Sequence, residues 1–217
     1  MNSPAKFAGI ILAAGESSRM GTDKALLPWP PPAPGETEPT RHTLLSASIL
    51  ALEPFTQKTF AVAGSNAESI AVMVGACGAY LVRNPNPERG QFSSLQVGLR
   101  EALKCDCDAV ILTPVDCPPL RASSLELLRN AFLGASIEDY WAVAPENEGK
   151  HGHPLFAGRG LIDAFLQAPV TSNAREVIHA HISRIVYVPV SDSLAKAGLN
   201  TPDDYAANAV KAPQKSA

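Results

Sequence analysis

Phe7-Ala-Gly-Ile-Ile-Leu12-Ala-Ala-Gly15-Glu-Ser-Ser-Arg19-Met-Gly21-Thr-Asp-Lys24-Ala-Leu-Leu27 is the stretch that decides the fold. Ile10-Ile11-Leu12 has the apolar, β-branched character of a buried strand. The run stops at Ala13-Ala14-Gly15, small residues that let another molecule approach the backbone. Beyond them a polar loop carries Gly15 and Gly21, the hydroxyls of Ser17 and Ser18, and the cations Arg19 and Lys24. A buried strand opening into such a loop suits a polyphosphate. Backbone N–H groups can line a concave anion site, and the cations offset the phosphate charge. The bland alternative is a strand-to-helix turn with surface charges.

Two common phosphate motifs do not fit. A P-loop needs Gly-Lys followed by Ser or Thr, but Gly21 and Lys24 are separated and Ala25 follows the lysine. A dinucleotide fingerprint needs three closely spaced glycines, and only Gly15 and Gly21 are present. The segment Leu12–Lys24 does match the nucleotidyltransferase signature L-A-A-G-x-S-x-R-M-G-x-x-K. The chain thereby resembles the MobA-like nucleotidyltransferases, and among them most the molybdenum cofactor cytidylyltransferases. The resemblance implies a three-layer α/β/α sandwich around a mostly parallel, Rossmann-like sheet of the nucleotide-diphospho-sugar transferase type.

The whole chain sets bounds. Its 217 residues suit one α/β domain over 1–217. A hydrophobic fraction of 46% and a charged fraction of 18% fit a soluble protein with a sizeable core. The net charge of −3 argues against non-specific nucleic-acid binding, so any anion site is local. No long apolar stretch precedes Lys6 and no run is long enough for a bilayer, so neither a signal peptide nor a membrane span is expected. Cys77, Cys105, Cys107 and Cys117 form no Cys-x-x-Cys pair, which is consistent with reduced thiols and a cytoplasmic location. His151-Gly-His153 alone is weak support for a metal site.

Residues 28–41 hold Pro28, Pro30, Pro31, Pro32, Pro34 and Pro39, a density that argues against helix or sheet pairing. The expectation there is a polyproline-like loop, an insertion relative to the family, serving as a surface loop or a lid. A helix is expected from Thr43 to Leu52, a strand over Thr59–Ala63, and a helix capped by Asn66 that buries Ile70, Met73 and Val74. A strand over Ala79–Val82 follows, then a turn-rich loop from Asn84 to Gly90 and a helix from Gln91 to Leu103. This order implies parallel pairing, with ligand sites beyond the carboxyl ends of the strands. A strand from Asp108 to Thr113 leads to Asp116, and Ser123 or Ser124 is expected to cap the next helix. Further strands are expected over Tyr140–Ala144, His153–Phe156 and Ser183–Pro189, with residues 145–152 as a loop. Helices are expected over Leu161–Gln167 and Ala174–His181, and a disordered tail over 211–217.

Four elements carry chemistry. Asp116 lies just past a central strand among prolines, and Mg²⁺ prefers one or two carboxylates plus substrate phosphates. By resemblance this is the family's metal-binding D-x-P-x-L element. Ser93 and Ser94 begin a helix, where they either cap free N–H groups or contact a nucleoside. The resemblance implies the second role for Gly90, Ser93 and Ser94. Gly152-His153-Pro154 matches a family element on the side of the acceptor substrate. Thr201-Pro202-Asp203-Asp204 reads as a helix start. Asn200 stands where the family usually has a second metal-binding aspartate.

The resemblance thus implies an Mg²⁺-dependent transfer of CMP from CTP, or GMP from GTP, to a phosphorylated acceptor of the molybdopterin type. It places Asp116 and Asn200 on the metal and Lys24 and Arg19 on the phosphates. The nucleotide would lie along Leu12, Ala13, Ala14, Gly15, Ser17, Asn84, Gly90, Ser93 and Ser94. A molybdoenzyme or its chaperone is the implied protein partner, with the chain a monomer or weak dimer. Alternatives are a sugar-phosphate or other small-phosphate nucleotidyltransferase, a non-catalytic nucleotide-binding module, and a nicotinamide-dependent oxidoreductase.

Overall fold

A computed structural model of the chain describes residues 5–15, 17, 20–32 and 41–208. Arg19, Ser18, residues 33–40 of the proline-rich segment and the 211–217 tail lie outside the described residues.

The strands, in chain order, are β1 (Phe7–Leu12), β2 (Pro28–Trp29), β3 (His42–Thr43), β4 (Lys58–Ala63), β5 (Tyr80–Arg83), β6 (Ala109–Pro114), β7 (Ala142–Asn147), β8 (Lys150–His151), β9 (Leu155–Gly158) and β10 (Ile185–Pro189). The helices are α1 (Leu44–Leu52), α2 (Ala67–Ala76), α3 (Gln91–Leu103), α4 (Ala122–Ile137), α5 (Arg159–Gln167), α6 (Ala174–Ala180) and α7 (Pro202–Ala207). The main sheet runs β10-β7-β9-β6-β1-β4-β5, with β8 paired to β7. β6, β1, β4 and β5 are parallel neighbours, as are β10 and β7, while β9 runs antiparallel between β6 and β7. Six strands therefore end on one edge of the sheet, with β1 near its middle.

Alternation along β1 builds the layers. Phe7 and Ile11 face a core shared with α1, α2 and α4, whereas Ala8, Ile10 and Leu12 face one shared with α3, α5 and α6. A strand covered on both faces needs apolar side chains at every position, which is why Phe7–Leu12 reads as a continuous apolar run. The mostly parallel three-layer sandwich is the architecture expected from the sequence.

Several local expectations need correction. Pro28 does enter a sheet: β2 and β3 form a two-stranded antiparallel ribbon at the base of the proline-rich segment. Proline is tolerated there because it opens a strand with no neighbour on its other side. The strand expected over Tyr140–Ala144 begins at Ala142 and continues to Asn147, and residues 145–152 include a hairpin rather than forming only a loop. Glu148 and Gly149 turn it with φ of 50° and 73°, the left-handed pair of a tight hairpin. Neither Ser123 nor Ser124 caps α4. The buried carboxylate of Asp192 accepts the Arg121 N–H at 2.9 Å instead, from 71 residues away. Thr201 caps α7 as expected, in a reciprocal box with Asp204.

Candidate functional site

The loop that follows β1 is held by side chains from three places. Ser17 sits at φ 52°, and its Oγ accepts the Lys24 N–H at 3.1 Å. Asp23 caps the short turn Lys24–Leu26, accepting the Ala25 N–H at 3.0 Å on Oδ1. Its other oxygen accepts from Asn66 Nδ2 at 2.8 Å. The same Asn66 Nδ2 donates to the Ala13 carbonyl at 3.0 Å, and Asn66 Oδ1 accepts the Gly64 N–H at 3.1 Å. One amide from the β4–α2 turn thus fastens both ends of the Ala13–Asp23 loop. The expected cap on α2 is absent, because the Asn66 side chain is committed to this loop. Asn66 is the residue the sequence reading missed. A polar side chain just past a parallel strand beside β1 was the available signal.

Lys24, Asp116 and Asn200 meet at the carboxyl edge of the sheet. Lys24 Nζ lies 3.2 Å from Asp116 Oδ2 and 3.2 Å from Asn200 Oδ1. The lysine side chain is only 11% exposed and that of Asp116 27%. Residues 92 and 176 positions away from Lys24 therefore converge on its ammonium. Their placement is rigid. The Leu199 N–H donates to the Asp116 carbonyl at 2.8 Å, and Asp204 Oδ2 accepts the N–H groups of Asn200 and Thr201 at 3.1 and 2.9 Å. The ammonium shows that the two side-chain oxygens converge on a cation. One carboxylate and one amide oxygen are a donor set that suits Mg²⁺ when phosphates and water complete the shell. No group of three or more His, Cys, Asp and Glu that could hold a metal occurs among the described residues.

Asn84, just past β5, is buried, and its Nδ2 donates to Ser93 Oγ at 2.8 Å and Ser94 Oγ at 2.9 Å. Asn84 Oδ1 accepts the Asn86 N–H at 3.0 Å, and Ser93 Oγ donates to the Gly90 carbonyl at 2.8 Å. Neither serine caps α3. Both are turned inward and shape the 84–90 loop, so a nucleoside would meet the loop that they hold. Ala14 faces the same loop: a methyl built on Gly64 would lie 3.4 Å from Ala14 Cβ and 3.0 Å from Pro87 Cβ.

A cavity of about 1270 Å³ opens beyond β1, β6 and β7, with Arg89 and Gly90 of the 84–90 loop in its wall. Leu12, Phe92, Leu95, Leu155 and Phe165 are among its apolar lining, while Arg89, Lys150 and Arg175 oppose the single carboxylate of Glu176. That balance favours an anion on an apolar body. His153 lines this cavity, with Nδ1 enclosed and lacking a hydrogen-bond partner. Burial pushes its imidazole below the ordinary value, opposed by the neighbouring Leu112 backbone and by the charge of Asp116. His151 lines the same cavity, where its ring stacks on Tyr187 at 3.5 Å and Nε2 lies 3.2 Å from Glu146. The Cys117 thiol beside Asp116 is pushed up by burial, which keeps it protonated and a poor nucleophile. All four cysteines are unpaired.

Comparison with known proteins shows the family of the chain. Residues 9–185 match the family model described as the MobA-like NTP transferase domain. The molybdenum cofactor cytidylyltransferase of Escherichia coli is 25% identical over 199 residues, covering 90% of this chain and 92% of that protein. A probable molybdenum cofactor guanylyltransferase of Rhodopirellula baltica is 31% identical over 130 residues, covering 59% of this chain and 57% of that protein. Among solved structures, Rv0371c of Mycobacterium tuberculosis superposes with a TM-score of 0.75 at 21% identity, covering 94% of this chain and 97% of that one. A second structure of Rv0371c is described as a complex with manganese, with a TM-score of 0.68 at 18% identity, covering 93% and 96% of the two chains. The chain belongs to the MobA-like NTP transferase domain family and is a nucleotidyltransferase of that family.

Proposed function

We propose that this protein is an Mg²⁺-dependent cytidylyltransferase that moves CMP from CTP onto a phosphorylated acceptor of the molybdopterin type. The observation that carries the reading is the meeting of Lys24, Asp116 and Asn200 at the carboxyl edge of the sheet, the edge that also carries the loop held by Asn84 and the cationic cavity lined by His153. An acceptor phosphate oxygen bonds to the α-phosphorus, the bond from that phosphorus to the α,β-bridging oxygen breaks, and pyrophosphate leaves. Alignment and charge stabilisation carry such a reaction.

Asp116 and Asn200 would hold Mg²⁺, which when bound supplies positive charge beside the triphosphate. Lys24 neutralises phosphate charge, as does Arg19 in the family signature. Backbone groups at Ala13, Ala14 and Gly15 give the nucleotide close access, and Ser17 fixes the loop through the Lys24 amide. Arg89, Lys150 and Arg175 would draw the acceptor's anionic group into the cavity, whose apolar wall takes the rest.

Cytidylyl transfer is supported by Ala14 in the signature, by Gly152-His153-Pro154 and by the likeness to the Escherichia coli enzyme over 90% of the chain. Guanylyl transfer is the second reading, favoured by the likeness to the Rhodopirellula baltica protein. The test is pyrophosphate release from each of the four NTPs with Mg²⁺ and a series of phosphorylated acceptors. Release from CTP with the metal-loaded pterin is expected. Release with GTP alone selects the second reading, and nucleotide binding without release selects a non-catalytic module.

A further inference from the structure

We infer that Lys24 holds the metal position in the nucleotide-free protein, so that a divalent cation enters only when a triphosphate draws the lysine away. The inference rests on the reading that Asp116 and Asn200 are the metal-holding pair. The Lys24 ammonium is 3.2 Å from one oxygen of each, with its side chain 11% exposed. Mg²⁺ requires its oxygens at about 2.0–2.1 Å. A dication bound to both oxygens therefore lies in the space between them that the ammonium fills, and the two cations repel. One must leave before the other binds.

Charge gives the same answer. Lys24 and Asp116 cancel, and Asn200 is neutral, so the closed trio offers a dication no net attraction. A second carboxylate at position 200 would leave one negative charge uncompensated. Asp204, the nearby acid, has its carboxylate tied to the amides of Asn200 and Thr201 and feels Lys24 as well. A triphosphate supplies what releases the lysine, since its oxygens offer the ammonium stronger partners than one carboxylate and one amide. The lysine then leaves Asp116 and Asn200 free for the ion that arrives with the nucleotide. Binding of metal and nucleotide is coupled, and the coupling is reciprocal.

The test is Mn²⁺ binding by electron paramagnetic resonance, without turnover. The parent, Lys24→Met, Asp116→Ala and Asn200→Asp are compared with and without a non-hydrolysable CTP analogue. Without nucleotide, Lys24→Met is expected to bind Mn²⁺ at least about tenfold tighter than the parent, and Asn200→Asp also tighter, following the charge argument. With the analogue, the parent's affinity is expected to rise at least about tenfold and that of Asp116→Ala to stay low. Equal affinity of Lys24→Met and the parent without nucleotide overturns the exchange. If Asp116→Ala nevertheless abolishes binding in the presence of nucleotide, the metal-holding pair stands and the exchange alone has failed. If Asp116→Ala binds Mn²⁺ as the parent does in both conditions, the metal reading fails and the exchange fails with it.

Discussion

The Leu199 N–H donates to the Asp116 carbonyl at 2.8 Å. This main-chain bond joins the segment after β6 to the segment before α7 and fixes the spacing between Asp116 and Asn200. The pair is therefore built by backbone, and its side chains can be changed without dismantling the fold.

Asn200→Asp is expected to keep activity across an Mg²⁺ titration, because an oxygen remains at the same place. Asn200→Ala is expected to need several-fold more Mg²⁺ for half-maximal rate. Matching titration curves for Asn200→Ala and the parent would leave Asn200 as a residue that only precedes the α7 cap.

Asn66→Ala removes the donor that Asp23 and Ala13 share. A hydrogen bond to a charged group contributes about 1.5–3 kcal/mol, so kcat/KM for CTP is expected to fall by roughly ten- to a hundredfold. Asp23→Ala breaks the same tie from the other end, so the double variant is expected to cost about as much as the worse single one. Additive losses in that cycle contradict a shared role for the two residues.

Gly152→Ala tests why glycine precedes His153. A β-carbon there would lie 1.6 Å from the Ala195 carbonyl oxygen, so the hairpin and the 193–196 turn must separate. Overpacking costs about 1–3 kcal/mol when side chains give way, and backbone yields less readily. A fall in Tm of at least roughly 4 °C is expected, since each kcal/mol moves a chain of this size by about 2–4 °C. An unchanged Tm contradicts the close approach.

Under the cytidylyl proposal, base choice would be read at Ala14, which lies near Gly64. Removing its methyl in Ala14→Gly is expected to narrow the ratio of kcat/KM for CTP over GTP by roughly tenfold, at about 1–3 kcal/mol for an overpacked methyl. A parent that prefers GTP overturns the cytidylyl proposal. A CTP preference untouched by Ala14→Gly moves base reading to the 84–90 loop.

The fold was legible where local sequence and burial agree. Ile10-Ile11-Leu12 is apolar at every position because both faces of β1 are covered, and Gln91–Leu103 shows its buried face directly. Asp116 and Lys24 were legible from their motifs, and the structure brings them together with Asn200. What was hidden depends on long-range pairing. Asp192 accepts the Arg121 N–H at the start of α4 from 71 residues away, and Asn66 serves a loop 43 residues earlier, so neither partner shows in the neighbouring sequence. Ser93 and Ser94 were visible as polar residues at a helix start, but only the fold shows that Asn84 turns them inward. The β7–β8 hairpin was hidden by Pro145, which sits within β7, paired to Val188 in a parallel register.

The measurement that bears most directly on the central claim is pyrophosphate release by the parent and Asp116→Ala, with CTP, Mg²⁺ and the metal-loaded pterin acceptor. Removing a charged group at the transition state is expected to lower kcat by at least about 10²-fold. Tm should change little, because the Asp116 side chain is 27% exposed and lies outside the core. Near-parental turnover by Asp116→Ala, or a parent that releases no pyrophosphate from any NTP and acceptor, would contradict the account.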